Sequence, residues 1–222
     1  TTKTRVISGH QHLLRVDEES VYQLENDDAQ RFRDQISHHL GSNRPDAVIL
    51  QDYNKGVLSA DVIAHILHET GEYGIPVMVD PKYAHFYDYR GVTMFKPNLR
   101  ELRASVPFAV TIDKGSLDRA AEYLSERLKH VMTCVTLSES GIYIHDSTGS
   151  QIYPTVAHDV VDVCGAGDGV ISVLTVAYLA RLEASSMARL ANVAGGLVCE
   201  EVGVSTVPLE GLKQALQQQT FS

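Results

Sequence analysis

The chain has 222 residues, of which 44% are hydrophobic, so it can bury the core of one large domain or two small ones. Its formal net charge of −9 disfavours a nucleic-acid partner or an anionic membrane surface, because both favour basic patches. The three cysteines, Cys134, Cys164 and Cys199, are widely spaced and odd in number, which indicates reduced thiols and a cytoplasmic protein.

The first elements are predicted to be extended and then helical. Residues 1–16 mix polar and apolar residues as an extended segment does, and His10 and His12 would share one face of a strand. Two histidines on one face can bind a metal, but we favour a solvated strand face. A helix follows, capped by Asp27 or Asp28 and ending at Gly41.

From Pro45 onwards, strands and helices alternate. Short apolar runs predict strands at residues 47–51, 76–79, 93–95 and 131–137, with residues 141–145 paired beside the last one. Helices are predicted from Ser59 to Gly71, from a cap at Ser116, and from about Val170, Ser186 and Leu209. This alternation predicts an α/β fold with a mostly parallel sheet flanked by helices.

Polar residues follow several of these strands. Because ligands bind at the carboxyl edge of an open parallel sheet, we expect these side chains to converge there. Two plainer interpretations stay open: Asp80-Pro81-Lys82 as a simple turn, and Asn98 with Glu101 as a helix-capping pair. The positions concerned are Asp52, Asp80, Lys82, Asn98, Glu101, Ser138 and Asp168.

The stretch Asp162-Val163-Cys164-Gly165-Ala166-Gly167-Asp168 precedes an apolar run that is too short to span a bilayer. The first N–H groups of a helix lack partners, and small residues let an anion approach them. Asp168 could accept a proton from a hydroxyl at the same turn. An anion site beside a base suits phosphoryl transfer to an alcohol, although a plain strand-to-helix connection is the simpler interpretation.

Four motifs, in order along the chain, resemble those of the ribokinase-like (PfkB) carbohydrate kinases. The stretch 162–168 is similar to the family signature Asp-Thr-x-Gly-Ala-Gly-Asp, and Asn98-x-x-Glu101 to its Asn-x-x-Glu motif. Residues 136–141, Thr-Leu-Ser-Glu-Ser-Gly, stand where the family has its nucleotide-binding turn, and residues 203–207 resemble its Gly-Thr-x-x-Val. The resemblance implies a ribokinase-like fold with a small β lid.

One branch of the family is closer than the rest. Residues 2–7 and 12–17, the Asp52-Tyr53-x-Lys55-Gly56 loop and Asp80-Pro81-Lys82 are similar to the kinases of D-glycero-D-manno-heptose 7-phosphate. The resemblance implies phosphorylation of the anomeric hydroxyl of that sugar, on the route to ADP-heptose and the lipopolysaccharide core. A kinase for another sugar, such as fructose or ribose, is the alternative, and a non-catalytic remnant is a third interpretation.

The resemblance also implies a role for individual residues. It makes Asp168 the base, uses ATP with Mg²⁺ and optionally K⁺, and makes residues 1–20 a lid that forms a homodimer. The predicted site residues are Gly165, Ala166 and Gly167 for the transferring phosphate; Ser138, Glu139, Gly141, Asn192 and Asp162 for the nucleotide; Lys82, Asp80 and Arg5 for the sugar phosphate; and Asn98 and Glu101 for the metal, which they would position through waters.

The sequence departs from the family pattern in two ways. Cys164, Gly169 and Ser138 stand where Thr or Ser, Thr and Gly are usual, but none of these changes removes a reacting group. The opening strands of the family, which carry much of its sugar site, have no counterpart before Thr1. We therefore expect a single kinase domain over residues 1–222 that is incomplete at its N-terminus.

Overall fold

The computed structural model describes residues 2–8, 11–155 and 161–219. Its first element is a two-stranded antiparallel hairpin, β1 (Thr2–Ser8) with β2 (Gln11–Glu18), whose register shifts between Val6 and Ile7. The extended conformation predicted for the start of the chain is confirmed over these residues. His10 and the side chain of His12 lie outside the described part, so the predicted face that they share stays a prediction.

The central sheet has six strands whose spatial order is their order in sequence. The first four are parallel and the last two form an antiparallel hairpin against them, which confirms the predicted mostly parallel sheet. The strands are β3 (Val48–Gln51), β4 (Val77–Asp80), β5 (Met94–Phe95), β6 (Met132–Thr136), β7 (Ile142–Asp146) and β8 (Gly149–Tyr153).

Helices cover both faces of this sheet. Because successive strand residues point to opposite faces, Val77 and Val79 pack with one set of helices and Met78 with the other. One face is covered by α2 (Ala60–Glu72) and α4 (Lys114–Leu128), and the other by α5 (Ala166–Leu179) and α6 (Ala184–Cys199). The remaining helices are α1 (Asn26–Asn43), α3 (Leu99–Ser105) and α7 (Leu209–Gln219).

Several helix ends differ from those predicted. The first helix starts after Glu25 and continues through Gly41, and the chain leaves it at Arg44, whose φ is 44°. Asp27 and Asp28 therefore lie in the first turn, where the helix dipole favours acids without capping. Ser59 caps α2 as predicted, although Gly71 lies inside that helix.

The cap of α4 is Asp113 and not Ser116. The Asp113 carboxylate accepts the Ser116 N–H at 2.9 Å, and the Ser116 hydroxyl accepts the Thr111 N–H at 3.0 Å. The helices α5 and α6 begin earlier than predicted, at Ala166 and Ala184, whereas α7 begins at Leu209 as predicted. Within the described residues, no helix is long and apolar enough to cross a membrane.

Candidate active site

A buried polar cluster lies at the carboxyl ends of β3, β4 and β5. Lys96 Nζ is 2.9 Å from Asp80 Oδ2, and Gln51 Nε2 donates to the same oxygen at 3.0 Å. Lys96 is 2% exposed and Asp80 5%. Asp80, predicted to bind substrate, is therefore engaged in an internal ion pair, because a carboxylate this deep needs a cation beside it.

The Gly-rich turn lies against this cluster. A Cβ placed on Gly167 would stand 3.3 Å from Asp80 Oδ2 and 4.0 Å from Lys96 Nζ. Gly165 precedes α5 with a φ of 80°, a conformation that glycine adopts without strain. The turn thus needs small residues both for its backbone and for its approach to the ion pair.

The backbone N–H groups of the Gly-rich turn are only partly available to a ligand. Gly169 donates the first i→i−4 bond of α5 to Gly165, at 2.9 Å, so the N–H groups of residues 166–168 precede the helix's own bonding. The Ala166 N–H makes a turn bond of 3.3 Å to the Val163 carbonyl oxygen. Of the three amides predicted to hold the phosphate, that of Ala166 is therefore already partly used.

Asp162 accepts two backbone hydrogen bonds that hold the Gly-rich turn in place. Its Oδ1 accepts the Cys164 N–H and its Oδ2 accepts the Gly203 N–H, both at 3.0 Å. The structure thus uses Asp162, predicted to bind the nucleotide, to tie the Gly-rich turn to the Gly203 loop. Both motifs are visible in the sequence, but the contact between them is not.

Asp168 stands in the first turn of α5, where it faces Tyr53, a residue of the Asp52-Tyr53-x-Lys55-Gly56 loop to which the sequence analysis gave no role of its own. Tyr53 Oη donates to both Asp168 carboxylate oxygens, at 2.9 and 2.7 Å. Desolvation first, and then the hydrogen bond to Asp168, raise the pKa of Tyr53 above its ordinary value. The available signal was the position of Tyr53 directly after Asp52, in the loop that follows β3.

Asp52 anchors that loop. It is 2% exposed, accepts the Tyr89 hydroxyl at 2.8 Å and the Asn54 N–H at 2.6 Å, and donates its own N–H to the Asp80 carbonyl oxygen at 3.0 Å. Burial, followed by the nearby Asp52 charge, raises the pKa of Tyr89, which keeps this phenol a donor. Asp52 therefore fixes the path of the loop that carries Tyr53.

Asn98 and Glu101 form the capping box of α3. Asn98 Oδ1 accepts the Glu101 N–H at 2.8 Å, and Glu101 Oε2 accepts the Asn98 N–H at 2.9 Å. The other oxygen of Glu101, Oε1, pairs with Lys82 Nζ. Burial lowers the pKa of Lys82, but the hydrogen bond and charge of Glu101 outweigh it and raise that pKa overall.

These contacts bear on the predicted metal site. The described residues contain no group of three or more His, Cys, Asp or Glu side chains arranged to hold a metal. Asn98 Oδ1 and both oxygens of Glu101 already face donors, so these atoms do not fit direct coordination of Mg²⁺. The predicted role of the pair, which is to position Mg²⁺ through waters, stays a prediction. Lys82, predicted to bind a substrate phosphate, serves as the partner of Glu101.

The predicted nucleotide turn lies two strands away from β4, about 10 Å along the sheet edge, after β6. Ser138 has a φ of 53°, so it takes the left-handed conformation that glycine adopts without strain. A Cβ on Gly141 would lie 2.1 Å from the Tyr153 carbonyl oxygen, which excludes other residues. Asn192 Nδ2 donates to the carbonyl oxygens of Tyr153 and Pro154, both at 3.1 Å.

The side chains at the predicted nucleotide turn differ in whether they are available to a ligand. Ser138 and Glu139 are exposed, and they form a short 3₁₀ turn with Ser140. Asn192, in contrast, uses its amide nitrogen to hold the end of β8. It therefore shapes the wall of the predicted nucleotide site and does not offer that nitrogen to a ligand.

A cavity of about 1220 Å³ opens between the hairpin and β3. Its lining includes Arg5, Gln51, Tyr53, Lys55, Gly165 and Asp168. Other cations at the hairpin have carboxylate partners: Lys3 with Glu19 at 3.0 Å, and Arg15 with Asp17 at 3.0 Å.

Arg5 differs from these cations. Its Nη2 lies 3.8 Å from Cys164 Sγ, a weak acceptor, and its buried Nε has no hydrogen-bond partner among the described residues. A guanidinium with donors to spare, in the cavity that contains Asp168, is suited to bind an anion.

Comparison with known sequences finds a family profile and individual relatives that agree with one another. The profile of the pfkB family carbohydrate kinases matches residues 16–210. The chain is 38% identical over 218 residues to the bifunctional protein HldE of Methylobacillus flagellatus, covering 98% of this chain and 44% of that protein. It is 39% identical over 208 residues to the HldE protein of Pelobacter propionicus, covering 92% and 42%. The chain thus spans less than half the length of these relatives.

Solved structures show the same fold at low sequence identity. Phosphofructokinase-2 from Escherichia coli, in complex with substrates and products, has a TM-score of 0.79 at 16% identity, covering 98% of this chain and 70% of that one. The same enzyme in complex with potassium has a TM-score of 0.77 at 17% identity, covering 89% and 64%. Ribokinase from Arabidopsis thaliana, complexed with ribose and ATP, has a TM-score of 0.70 at 18% identity, covering 88% and 60%.

Proposed function

We propose, for a chain that belongs to the pfkB family of carbohydrate kinases, that its acceptor is the anomeric hydroxyl of D-glycero-D-manno-heptose 7-phosphate. Membership of this family makes the protein a phosphotransferase acting on a sugar hydroxyl, with a nucleoside triphosphate donor and a divalent metal. The finer identification of the donor as ATP and the metal as Mg²⁺, with K⁺ as a further ion, belongs to the proposal. The 1,7-bisphosphate product would lead to ADP-heptose and lipopolysaccharide core.

The observation that carries the proposal is Asp168 in the first turn of α5, with a hydroxyl already hydrogen-bonded to its carboxylate. A carboxylate in this place can take the proton of an acceptor hydroxyl as the oxygen bonds to phosphorus. The adjoining N–H groups of residues 166–168 and the dipole of α5 favour the charge of the transferring phosphoryl group. The metal, when bound, would neutralise phosphate charge.

The phosphate of the acceptor is assigned to Arg5. Asp80 and Lys82, the other two predicted substrate residues, have partners in Lys96 and Glu101. The Arg5 side chain lines the cavity that also contains Asp168, and its Nε has no hydrogen-bond partner among the described residues. A planar guanidinium pairs well with phosphate oxygens, which supports a phosphorylated sugar over a neutral one.

The assembly is proposed to be a homodimer through the β1–β2 lid. The hairpin exposes Leu13 and Leu14, each by 57%, and Val16 by 47%. Exposed apolar side chains on a two-stranded ribbon favour cover by another surface. A second copy of the same hairpin would provide that cover.

The direct test of the function is Asp168→Asn in a coupled kinase assay. We expect turnover to fall at least ~10²-fold, because the positioned base is lost, while the affinity for ATP changes by less than about threefold. Asp61→Asn is the matched control, since Asp61 is an exposed acid in the first turn of α2. Heptose 7-phosphate, fructose 6-phosphate and ribose are compared as acceptors. A preference for either of the latter two would contradict the proposed sugar, and near wild-type turnover by Asp168→Asn would contradict the base.

A further inference from the structure

The Tyr53 phenol is hydrogen-bonded to Asp168, the carboxylate proposed to take the proton of the acceptor hydroxyl. Its oxygen lies within hydrogen-bond distance of both carboxylate oxygens, so it bridges the two. Tyr53 and Asp168 are 115 residues apart in sequence, and neither is deeply buried. The contact is therefore made by the fold, on the solvent side of the site.

The loop that carries Tyr53 is held at several points. Asp52 receives the Asn54 N–H and the Tyr89 hydroxyl, and Asn54 has a left-handed φ of 54°. Further on, the Leu24 N–H donates to the Gly56 carbonyl oxygen at 3.2 Å, and a Cβ on Gly56 would lie 1.9 Å from the Tyr22 carbonyl oxygen. The backbone on both sides of Tyr53 is thus fixed, while its side chain is 52% exposed.

A protonated phenol can only donate to a carboxylate, as a sugar hydroxyl does before it reacts. A carboxylate has about four lone-pair sites, and the bridging phenol uses one on each oxygen of Asp168. The competition is therefore for space: the exposed phenol stands against both oxygens, and an acceptor hydroxyl that takes this position must displace it. Rotation of an exposed side chain on a fixed loop is a movement that the structure permits.

On the premise of the proposed function, we propose that Tyr53 is a positioning residue that occupies Asp168 in the absence of the sugar and is displaced by the acceptor hydroxyl. While its hydroxyl is hydrogen-bonded to Asp168, Tyr53 keeps water from reaching that carboxylate. It thereby suppresses the transfer of the phosphoryl group of ATP to water, a reaction in which Asp168 would take the proton of the attacking water and ADP would leave.

The test compares wild type, Tyr53→Phe and a control variant. Tyr53→Phe keeps the ring and removes the hydroxyl, and Tyr22→Phe is the control because that side chain is 84% exposed. We expect Tyr53→Phe to hydrolyse ATP without acceptor about tenfold faster than wild type, since water gains access to the base. We also expect its KM for the acceptor to fall about threefold, because the competing hydrogen bond is gone.

A purely structural role would give a different result, namely a higher KM or a lower kcat with no rise in ATP hydrolysis, and this result would overturn the proposal. If wild type phosphorylates the sugar but Tyr53→Phe hydrolyses ATP no faster, the role of Tyr53 fails and the proposed function stands. If neither wild type nor a form extended at its N-terminus phosphorylates a sugar, the proposed function itself fails, and the role of Tyr53 fails with it.

The contact is also tested without turnover, by NMR of tyrosine labelled with ¹³C in the ring. The Tyr53 signal is assigned by its loss in Tyr53→Phe. Burial first, and then the hydrogen bond and charge of Asp168, raise the pKa of Tyr53. Because Asp168→Asn removes that charge, we expect Tyr53 to deprotonate at lower pH in this variant than in wild type. An unchanged titration of Tyr53 would show that the phenol does not rest on Asp168, and would overturn the proposal.

Discussion

At the scale of single residues, His130 is a buried histidine with incomplete hydrogen bonding. It is 7% exposed, its Nε2 faces the Thr133 hydroxyl, and its Nδ1 has no partner among the described residues. Desolvation, with a smaller effect of His145, lowers the pKa of His130 to about 4 from an ordinary 6.5. The neutral form is therefore the one that the fold accommodates.

The lowered pKa of His130 predicts a range of acidic pH over which the folded protein loses stability. Between pH 6.5 and pH 4 the unfolded chain binds a proton at His130 that the folded chain does not, so stability falls as pH falls through this range. The loss amounts to at most about 3 kcal/mol. Urea unfolding at several pH values should show this slope in wild type and a flatter one in His130→Gln.

The control for this prediction is His68→Gln, because His68 is exposed. It should unfold like wild type at every pH in the window. Equal slopes in wild type and His130→Gln would show that His130 is not the group responsible. The effect of Asp118 on stability does not overlap with this pH range, because that carboxylate titrates at lower pH. Burial raises the pKa of that residue, but hydrogen bonds from Lys114, Ser150 and Tyr143 lower it to about 2.

At the scale of elements, the Asp80–Lys96 pair joins the ends of β4 and β5 to the start of α5. Its two charges satisfy each other where water does not reach, and Gly167 packs against them. A change to either charge should therefore be felt at the Gly-rich turn as well as in the sheet. The two buried charges have no direct part in the chemistry proposed for Asp168.

Lys96→Met should destabilise the protein by about 3–5 kcal/mol, because it leaves the buried Asp80 carboxylate without a cation. The matched control is Lys114→Met, which breaks the Lys114–Asp118 pair at a surface lysine whose side chain is 58% exposed, and should cost about 0–1 kcal/mol. Denaturant unfolding measures both. Equal losses in the two variants would contradict the view that burial makes an unpaired Asp80 carboxylate costly.

At the scale of the whole molecule, β3 is an edge of the central sheet in the described part of the chain. Ile49, in the middle of this strand, is 38% exposed, and the cavity that contains Asp168 opens beside it. An exposed edge with apolar side chains favours pairing with more chain or with another molecule. This supports the proposal that residues 1–222 are one kinase domain whose sugar site is completed by additional chain.

We therefore expect this chain by itself to bind ATP but to turn over slowly. A form extended at its N-terminus should phosphorylate heptose 7-phosphate roughly tenfold faster or more, because catalysis depends on holding the acceptor in place. Calorimetry with ATP and a coupled assay compare the two forms. Similar ATP affinity is expected, whereas equal turnover would show that the sugar site is complete within these residues.

The alternation of strands and helices could be predicted from the sequence by itself, because it depends on neighbouring residues. An apolar run such as β4, or a periodic apolar face such as that of α4, can be recognised within a short stretch of sequence. The Gly-rich turn with Asp168 at its end was also visible, since its small residues stand together. Helix ends were less predictable: Asp113 and Ser116 are both good capping residues, and only backbone geometry selects Asp113.

Tertiary structure decided which of the predicted site residues are free to act. Asp80, Lys82, Asp162 and Asn192 each use donors or acceptors on partners that are distant in sequence. Tyr53 reaches Asp168 only because β3 and α5 meet at one edge of the sheet. A polar side chain has few hydrogen bonds to make, and the order of the strands, which no local pattern contains, determines which partner receives them.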